Sequence, residues 1–298
     1  MTLCAAGINQ FLEDSIIVVC DRKVSFWGGL VSGDQMAFKL RHVHGDWRLM
    51  FAGDNSPLVA LMDAIQDAVK KSKRSSLRGF ARSCSRAYRA ERQKIVETEI
   101  LSEYDISTYD DYLALKISDR ALFDAITDKI IELEKDWSLL FFGFDDKASP
   151  HLFVISEQGK IQYCDIEGVA AIGSGAWAAI MSLTSYPYRR HLPIGEAVYS
   201  LLAAKYAAEQ SAEGVGEETI VIVLKPKQTL FTTLSTKMVK AMREKWKALS
   251  RIPEGAADEI MADFKACEQN PQHYVDVESG KLSKPVYRVV ASKKSATT

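Results

Sequence analysis

The order of its apolar runs and periodic segments predicts an α+β layered fold for this chain. Strand-like runs gather in the first fifty or so residues, helical periodicity fills the stretch to about residue 136, and strands then return with two helices among them. Segregated runs of this kind favour layers of sheet and helix over a βαβ alternation.

Residues 2–8 and 15–21 read as two strands joined through Asn9 to Asp14. The branched run Ile16-Ile17-Val18-Val19 suits a strand buried on both faces. Gly28, Gly29 and Gly33 make residues 22–34 a loop or irregular strand end. A third strand is expected from Met36 to His44 and a fourth from Trp47 to Ala52, with Gly45-Asp46 as hairpin signal. Polar capping residues and Pro57 then start a helix, with Leu58, Leu61, Met62, Ile65 and Val69 on one face. Lys70 to Lys94 is strongly basic, with Glu91 its only acid, and acids dominate from Glu97 to Asp136; a helix pair of opposite charge is the simplest reading.

Beyond that pair, Ser138 to Phe144 is an apolar strand. His151 to Ser156 and Ile161 to Asp165 form a hairpin, and Val169 to Ile172 leads into Gly173-Ser174-Gly175. Helices are expected over Ala176 to Ser185 and about Pro193 to Gln210, and a last strand over Thr219 to Leu224. An amphipathic helix carrying Met238, Met242, Trp246 and Leu249 comes next. A second helix near Ala256 to Cys267, a short strand near Val286 to Ala291 and a disordered tail from Ser292 close the chain.

With 298 residues and a formal net charge of −1, the chain has ample core and no overall bias toward a polyanion. It has neither a signal-type start nor an 18-residue apolar run, so a soluble, cytoplasmic protein without membrane attachment is expected. The five cysteines are scattered and odd in number, which argues against a disulfide framework, and the histidines show no ligand spacing. No metal and no cofactor is expected. Arg74, Arg78, Arg82 and Arg86, four apart, would align as one helical stripe, with Phe80 and Tyr88 nearby for stacking. A solvated face, or pairing with acids of a neighbouring helix or subunit, is the commoner role of such a stripe, and nucleic acid is not the expected partner.

The chemistry lies in the first fifty-odd residues. A threonine hydroxyl needs an adjacent base, and removal of Met1 would give Thr2 an α-amine with a reference pKa of about 7.7–8.0 within reach of its own hydroxyl. A lysine nearby, Lys39, would lower that pKa further. An acid, Asp21, would orient the lysine, and a backbone N–H at Gly53 would meet a developing oxyanion.

In this order the motifs resemble those of proteasome-type N-terminal-nucleophile hydrolases, the family of proteasome β-subunits and their bacterial relatives. Thr2-Leu3-Cys4 resembles the start of the bacterial relatives, and Lys39 to Gly53 the run from a lysine to an Ala-Gly turn. Gly143-Phe144-Asp145, Gly173-Ser174-Gly175, the helix with Glu196-Ala197, and Gly214-Val215-Gly216 resemble later family motifs. The likeness covers roughly residues 2–225 and implies a proteasome-like domain over 1–225 with a helical extension and polar tail over 226–298. It also implies a four-layer αββα sandwich, Ser174 assisting the amine, Phe51 near a specificity pocket, and a ring-like homo-oligomer acting on a peptide or protein substrate. The chain departs from the family at Ala212-Glu213-Gly214-Val215, where active β-subunits carry an acid and a serine. Two functions therefore stand: a threonine peptidase or amidohydrolase using Thr2, Asp21, Lys39, Gly53 and Ser174, and a non-catalytic scaffold or interaction subunit of the same fold.

Overall fold

Strands β1 (Cys4–Asn9) and β2 (Ser15–Asp21) pair antiparallel at the start of the chain, with Cys4 opposite Cys20 and Ile8 opposite Ile16. The computed structural model describes residues 2–22, 24–26, 31–33, 39–53, 58–71, 76–134, 137–185, 187–212, 214–227 and 232–249. Two short strands, β3 (Val24–Phe26) and β4 (Val31–Gly33), pair with each other where the sequence suggests a loop or irregular strand end. Of the expected strand over residues 36–44, only β5 (Arg41–His44) forms among the described residues, and it pairs with β6 (Trp47–Ala52).

Four helices come next: α1 (Leu58–Lys71), α2 (Leu77–Glu99), α3 (Tyr109–Ser118) and α4 (Arg120–Glu134). Ser76 caps α2 by accepting from the Gly79 N–H, and Thr108 caps α3 through the Asp111 N–H, so each helix starts where a hydroxyl satisfies a free amide. The opposite-charge pair thus becomes the basic α2, following an α1 whose two lysines at its end balance its two aspartates, and then two acidic helices.

Sheet structure resumes with β7 (Ser138–Phe144), β8 (Pro150–Ser156), β9 (Lys160–Tyr163) and β10 (Val169–Ile172). Helices α5 (Ala176–Ser185) and α6 (Ile194–Ser211), strands β11 (Thr219–Leu224) and β12 (Thr232–Thr233), and helix α7 (Thr236–Leu249) complete the described chain. Residues 250–298, with the second C-terminal helix and last strand expected there, lie outside the described residues. The chain divides into the compact units Met1–Trp246 and Lys247–Thr298, and every described strand belongs to the first.

One sheet has the order β10-β1-β2-β11-β12 and the other β5-β6-β7-β8-β9; neighbouring strands are antiparallel throughout. Strand alternation sorts their side chains. Cys4, Ala6, Ile16 and Val18 pack with Met50, Leu140, Phe142 and Leu152 in a core shared by both sheets. The opposite parity of the first sheet, Leu3, Ala5, Ile17 and Val19, packs with Leu201, Leu202 and Tyr206 of α6. Leu49, Phe51, Leu139 and Phe141 pack with Leu61, Ile65, Phe80 and Tyr88 of α1 and α2. The run Ile16 to Val19 is therefore buried on both faces, as its continuous apolar pattern predicts.

The expected four-layer αββα sandwich is corrected. Among the described residues the architecture comprises two five-stranded antiparallel sheets, a separate two-stranded pair and seven α-helices. Helices α3 and α4 lie mainly off the sheets, with Leu133 of α4 reaching the core between α1, α2 and the second sheet. Their Tyr112, Ile126 and Ile130 bury themselves with Val96, Ile100 and Leu101 around the end of α2, in a core made among helices. On α2, Arg78, Arg82 and Arg86 are exposed, whereas Tyr88 and Phe80 are buried and offer no stacking surface. No helix among the described residues is long and apolar enough to cross a membrane.

At the β7–β8 turn, His151 Nδ1 lies 2.7 Å from Asp165 Oδ2, and Nε2 lies 3.5 Å from Asp145 Oδ2. Burial alone would lower the His151 pKa, but the two carboxylates outweigh it and raise the value. Burial likewise works against the charged form of Asp145, yet the Ser149 and Lys147 amides and His151 hold its carboxyl below the usual range. A raised histidine stabilises the fold fully below its unfolded pKa of about 6.5, and that contribution disappears as pH rises through the folded value. The depressed Asp145 acts in the opposite sense, contributing above its ordinary value and losing the contribution in stronger acid. His151→Gln should therefore cost more stability at about pH 5.5 than at about pH 8.5 in urea unfolding. An equal cost at both would remove charged His151 from the account.

Candidate active site

Strand register assembles the centre. Because Cys4 faces Cys20 in the β1–β2 pair, the chain just before β1 runs beside the end of β2, and the Asp21 N–H donates to the Leu3 carbonyl at 3.2 Å. Both strands lie inside their sheet, so this end is bordered by β10 on one side and β11 on the other. Thr2 and Asp21 are consequently enclosed, with 6% and 0% of their surface exposed.

A buried carboxylate needs donors on both oxygens, and Asp21 has them. Its Oδ1 accepts from Thr2 Oγ1 at 2.5 Å, from the Leu3 N–H at 2.9 Å and from Lys39 Nζ at 2.7 Å. Its Oδ2 accepts from the Gly216 N–H at 3.2 Å. Lys39, just before β5 of the other sheet, also donates to Thr2 Oγ1. One hydroxyl thus gives its proton to a carboxylate while accepting from an ammonium. In a site this dry, the ammonium would strongly favour negative charge developing on Oγ1.

The β10–α5 turn holds the backbone of Thr2. The Gly175 N–H donates to the Thr2 carbonyl at 3.3 Å, and Ser174 Oγ lies 3.5 Å from the same oxygen. Gly173 has φ +97, and a Cβ there would stand 2.2 Å from the Thr2 carbonyl oxygen. Glycine is required on both counts. Ser174 therefore touches Thr2 through its main chain.

Thr2, Asp21, Lys39 and Ser174 come together; Gly53 is less closely joined. It lies just after β6 with φ +128, and among the described hydrogen bonds none links it to Thr2. The nearest tie is from Cys4 Sγ to the Phe51 carbonyl at 3.8 Å, which sets the end of β6 against β1. The Phe51 side chain is buried among the α1–α2 helices. Met1 and Glu213 lie outside the described residues. Cys4 and Cys20 flank the centre as neutral thiols: burial pushes Cys20 up to about 12 and Cys4 well above its ordinary value. Among the described residues no group of three or more His, Cys, Asp or Glu could hold a metal ion.

Residue type gives no hint that Gly216 takes part, because it contributes only an amide. Its signal in the sequence is the Gly214-Val215-Gly216 turn immediately before β11. A second signal is Lys205, a lone charge in the apolar run from Leu201 to Ala208, which is fully buried and donates to the Gly216 carbonyl at 2.5 Å.

No protein-family model matches the chain, and neither does any curated protein sequence. Among solved structures it is similar to Anbu, a bacterial proteasome-like protein, in the Gly-1 mutant from Hyphomicrobium sp. strain MC1. That overlap has a TM-score of 0.58 at 16% identity and covers 85% of this chain and 99% of the other. The membership of the proteasome-type N-terminal-nucleophile family implied by the motif order is corrected accordingly. At this identity, and with no family model matching, what the chain shares with that proteasome-like protein is its fold.

Proposed function

We propose that the chain is a threonine-type amidohydrolase acting on peptide bonds, with Thr2 as nucleophile once Met1 is removed. The observation that carries this reading is the Thr2 hydroxyl bonded at once to Lys39 and Asp21, all three nearly buried. In this reading Oγ1 attacks the substrate carbonyl carbon and its proton passes to the freed α-amine. The leaving amine takes that proton as the C–N bond breaks, and water then hydrolyses the acyl ester. Lys39 keeps the α-amine neutral and stabilises negative charge on Oγ1, while Asp21 holds Lys39 and Thr2 in register. Gly53 is assigned the oxyanion through its N–H, and Ser174 steadies the Thr2 backbone.

The alternative, a non-catalytic subunit, draws on the turn before β11. There Asp21 receives a main-chain amide from Gly216, and no described hydrogen bond joins a side chain of the turn to Thr2. A homo-oligomer belongs to both readings and is read by sedimentation.

Intact mass is the first test, since a mature chain that keeps Met1 has no free Thr2 amine and excludes the simple mechanism. On the Met1-free chain, Thr2→Ala should lower hydrolysis of a fluorogenic peptide panel by about 10³-fold or more, and Lys39→Met by about 10²–10⁴-fold, each rate taken per folded molecule as read by circular dichroism. Equal rates in wild type and Thr2→Ala would assign hydrolysis elsewhere. Gly173→Ala should also abolish turnover, because its methyl would displace the Thr2 carbonyl; retained turnover would show that the Thr2 backbone tolerates the shift.

A further inference from the structure

Helix α6 is almost wholly apolar where it meets the first sheet, yet it buries Lys205 completely. Taking an ammonium out of water is costly unless its protons are all received. Lys205 pairs with Glu209 one turn along α6, and it donates to the Gly216 carbonyl at 2.5 Å and the Glu217 carbonyl at 3.1 Å. Glu209 is also held by Arg243 of α7, at 3.0 Å, and Arg243 reaches the Glu217 carbonyl as well. The cation therefore ties a side chain of its own helix, Glu209, to the main chain of the turn before β11.

That turn is the one that supports Asp21. The Gly216 N–H donates to Asp21 Oδ2 while the Gly216 carbonyl accepts from Lys205, so both main-chain polar groups of one residue are engaged, facing opposite partners. The neighbouring Val215 closes on the nucleophile's turn too, since a Cβ on Gly175 would lie 2.8 Å from a Val215 methyl and 3.4 Å from Leu3 Cβ. Val215 and the Arg243–Glu217 pair anchor the two sides of this turn, but Gly216 itself has no side chain to fix its peptide plane. The Lys205 ammonium clamped on the Gly216 carbonyl supplies that constraint.

We propose that Lys205 is a positioning residue for the Thr2 centre: through the carbonyls of Gly216 and Glu217 it aims the Gly216 amide at Asp21, and so sets the carboxylate that orients Thr2 and Lys39. Its role in catalysis rests on the hydrolase reading above; its role in geometry does not.

The test compares Lys205→Met, which fills the space without a donor, with Lys205→Gln, which keeps one, both in the full chain. Amide hydrogen exchange at Gly216 should accelerate by about tenfold or more in Lys205→Met and by less in Lys205→Gln, while the Val18 and Val19 amides of β2 keep wild-type protection. In parallel, a β-lactone offered to the Met1-free chain reads nucleophile reactivity. Thr2 Oγ1 bonds to the lactone carbonyl carbon, the ring C–O bond breaks, and the proton ends on the released hydroxyl. Acylation, tracked by intact mass, should slow in the same order as Gly216 exchange quickens. Unchanged Gly216 exchange in Lys205→Met would overturn the proposal, as would uniform acceleration across β2, which would make Lys205 a general core support. Should Lys205→Met fail to fold, Lys205→Gln against wild type decides by the same comparison of Gly216 with Val18 and Val19. A wild-type Thr2 inert to the lactone would reject the hydrolase reading while leaving the exchange result to judge Lys205.

Discussion

A single buried carboxylate governs the candidate centre. Asp21 has no exposed surface, so each of its lone pairs must be met by the protein itself. Four donors meet it: a hydroxyl, an ammonium and two main-chain amides. Those donors come from the start of the chain, from the segment before β5 and from the turn before β11. Satisfying one acid therefore requires three distant segments to arrive together, and the position of Thr2 is a consequence of that requirement. Removing one partner would leave a charge stranded in a dry site, which is why the cluster behaves as a unit rather than as a sum of pairs.

The sheets supply the precision. Thr219 faces Asp21 across the β2–β11 pair just as Leu3 adjoins it on the other side, so a slip of one residue in either pairing would turn Asp21 to the opposite face. The core between the sheets makes such a slip expensive, because it would exchange Cys4, Ile16 and Val18 for the parity that packs against α6. Core packing and site geometry are thus one constraint. Gly173 adds a steric condition: the close approach of its backbone to the Thr2 carbonyl leaves no room for a side chain.

Fold and chemistry carry different weight here. The likeness to a proteasome-like protein reaches across most of the chain, but a shared fold hosts active and inactive members alike, and residue roles rest on this chain's own contacts. The separate α2–α3–α4 core shows how far the architecture departs from simple covering layers: Tyr112 and Ile126 find their burial among helices and leave both sheets to other elements.

Much of this was legible in the linear chain. Period-2 and continuous apolar runs announced β1, β2, β6, β7 and β11, and residue type singled out Thr2, Asp21, Lys39 and Gly53 as a set with matching chemistry, while Ser174 was reached through the resemblance of its motif. Such signals are local or chemical, and they survive without a fold. The rest depends on residues far apart in sequence. Asp21 meets Gly216 across 195 positions, an amide that carries no side-chain signature, and Lys205 becomes part of the same network only when α6 lies against that turn. The β3–β4 pair, burial of Phe80 and Tyr88 beneath the arginine stripe, and the absence of a described hydrogen bond between Gly53 and Thr2 were likewise settled by tertiary packing. Sequence determined which groups are present and how each segment alternates; register and packing decided which of those groups meet, because hydrogen-bond partners are chosen by distance in space.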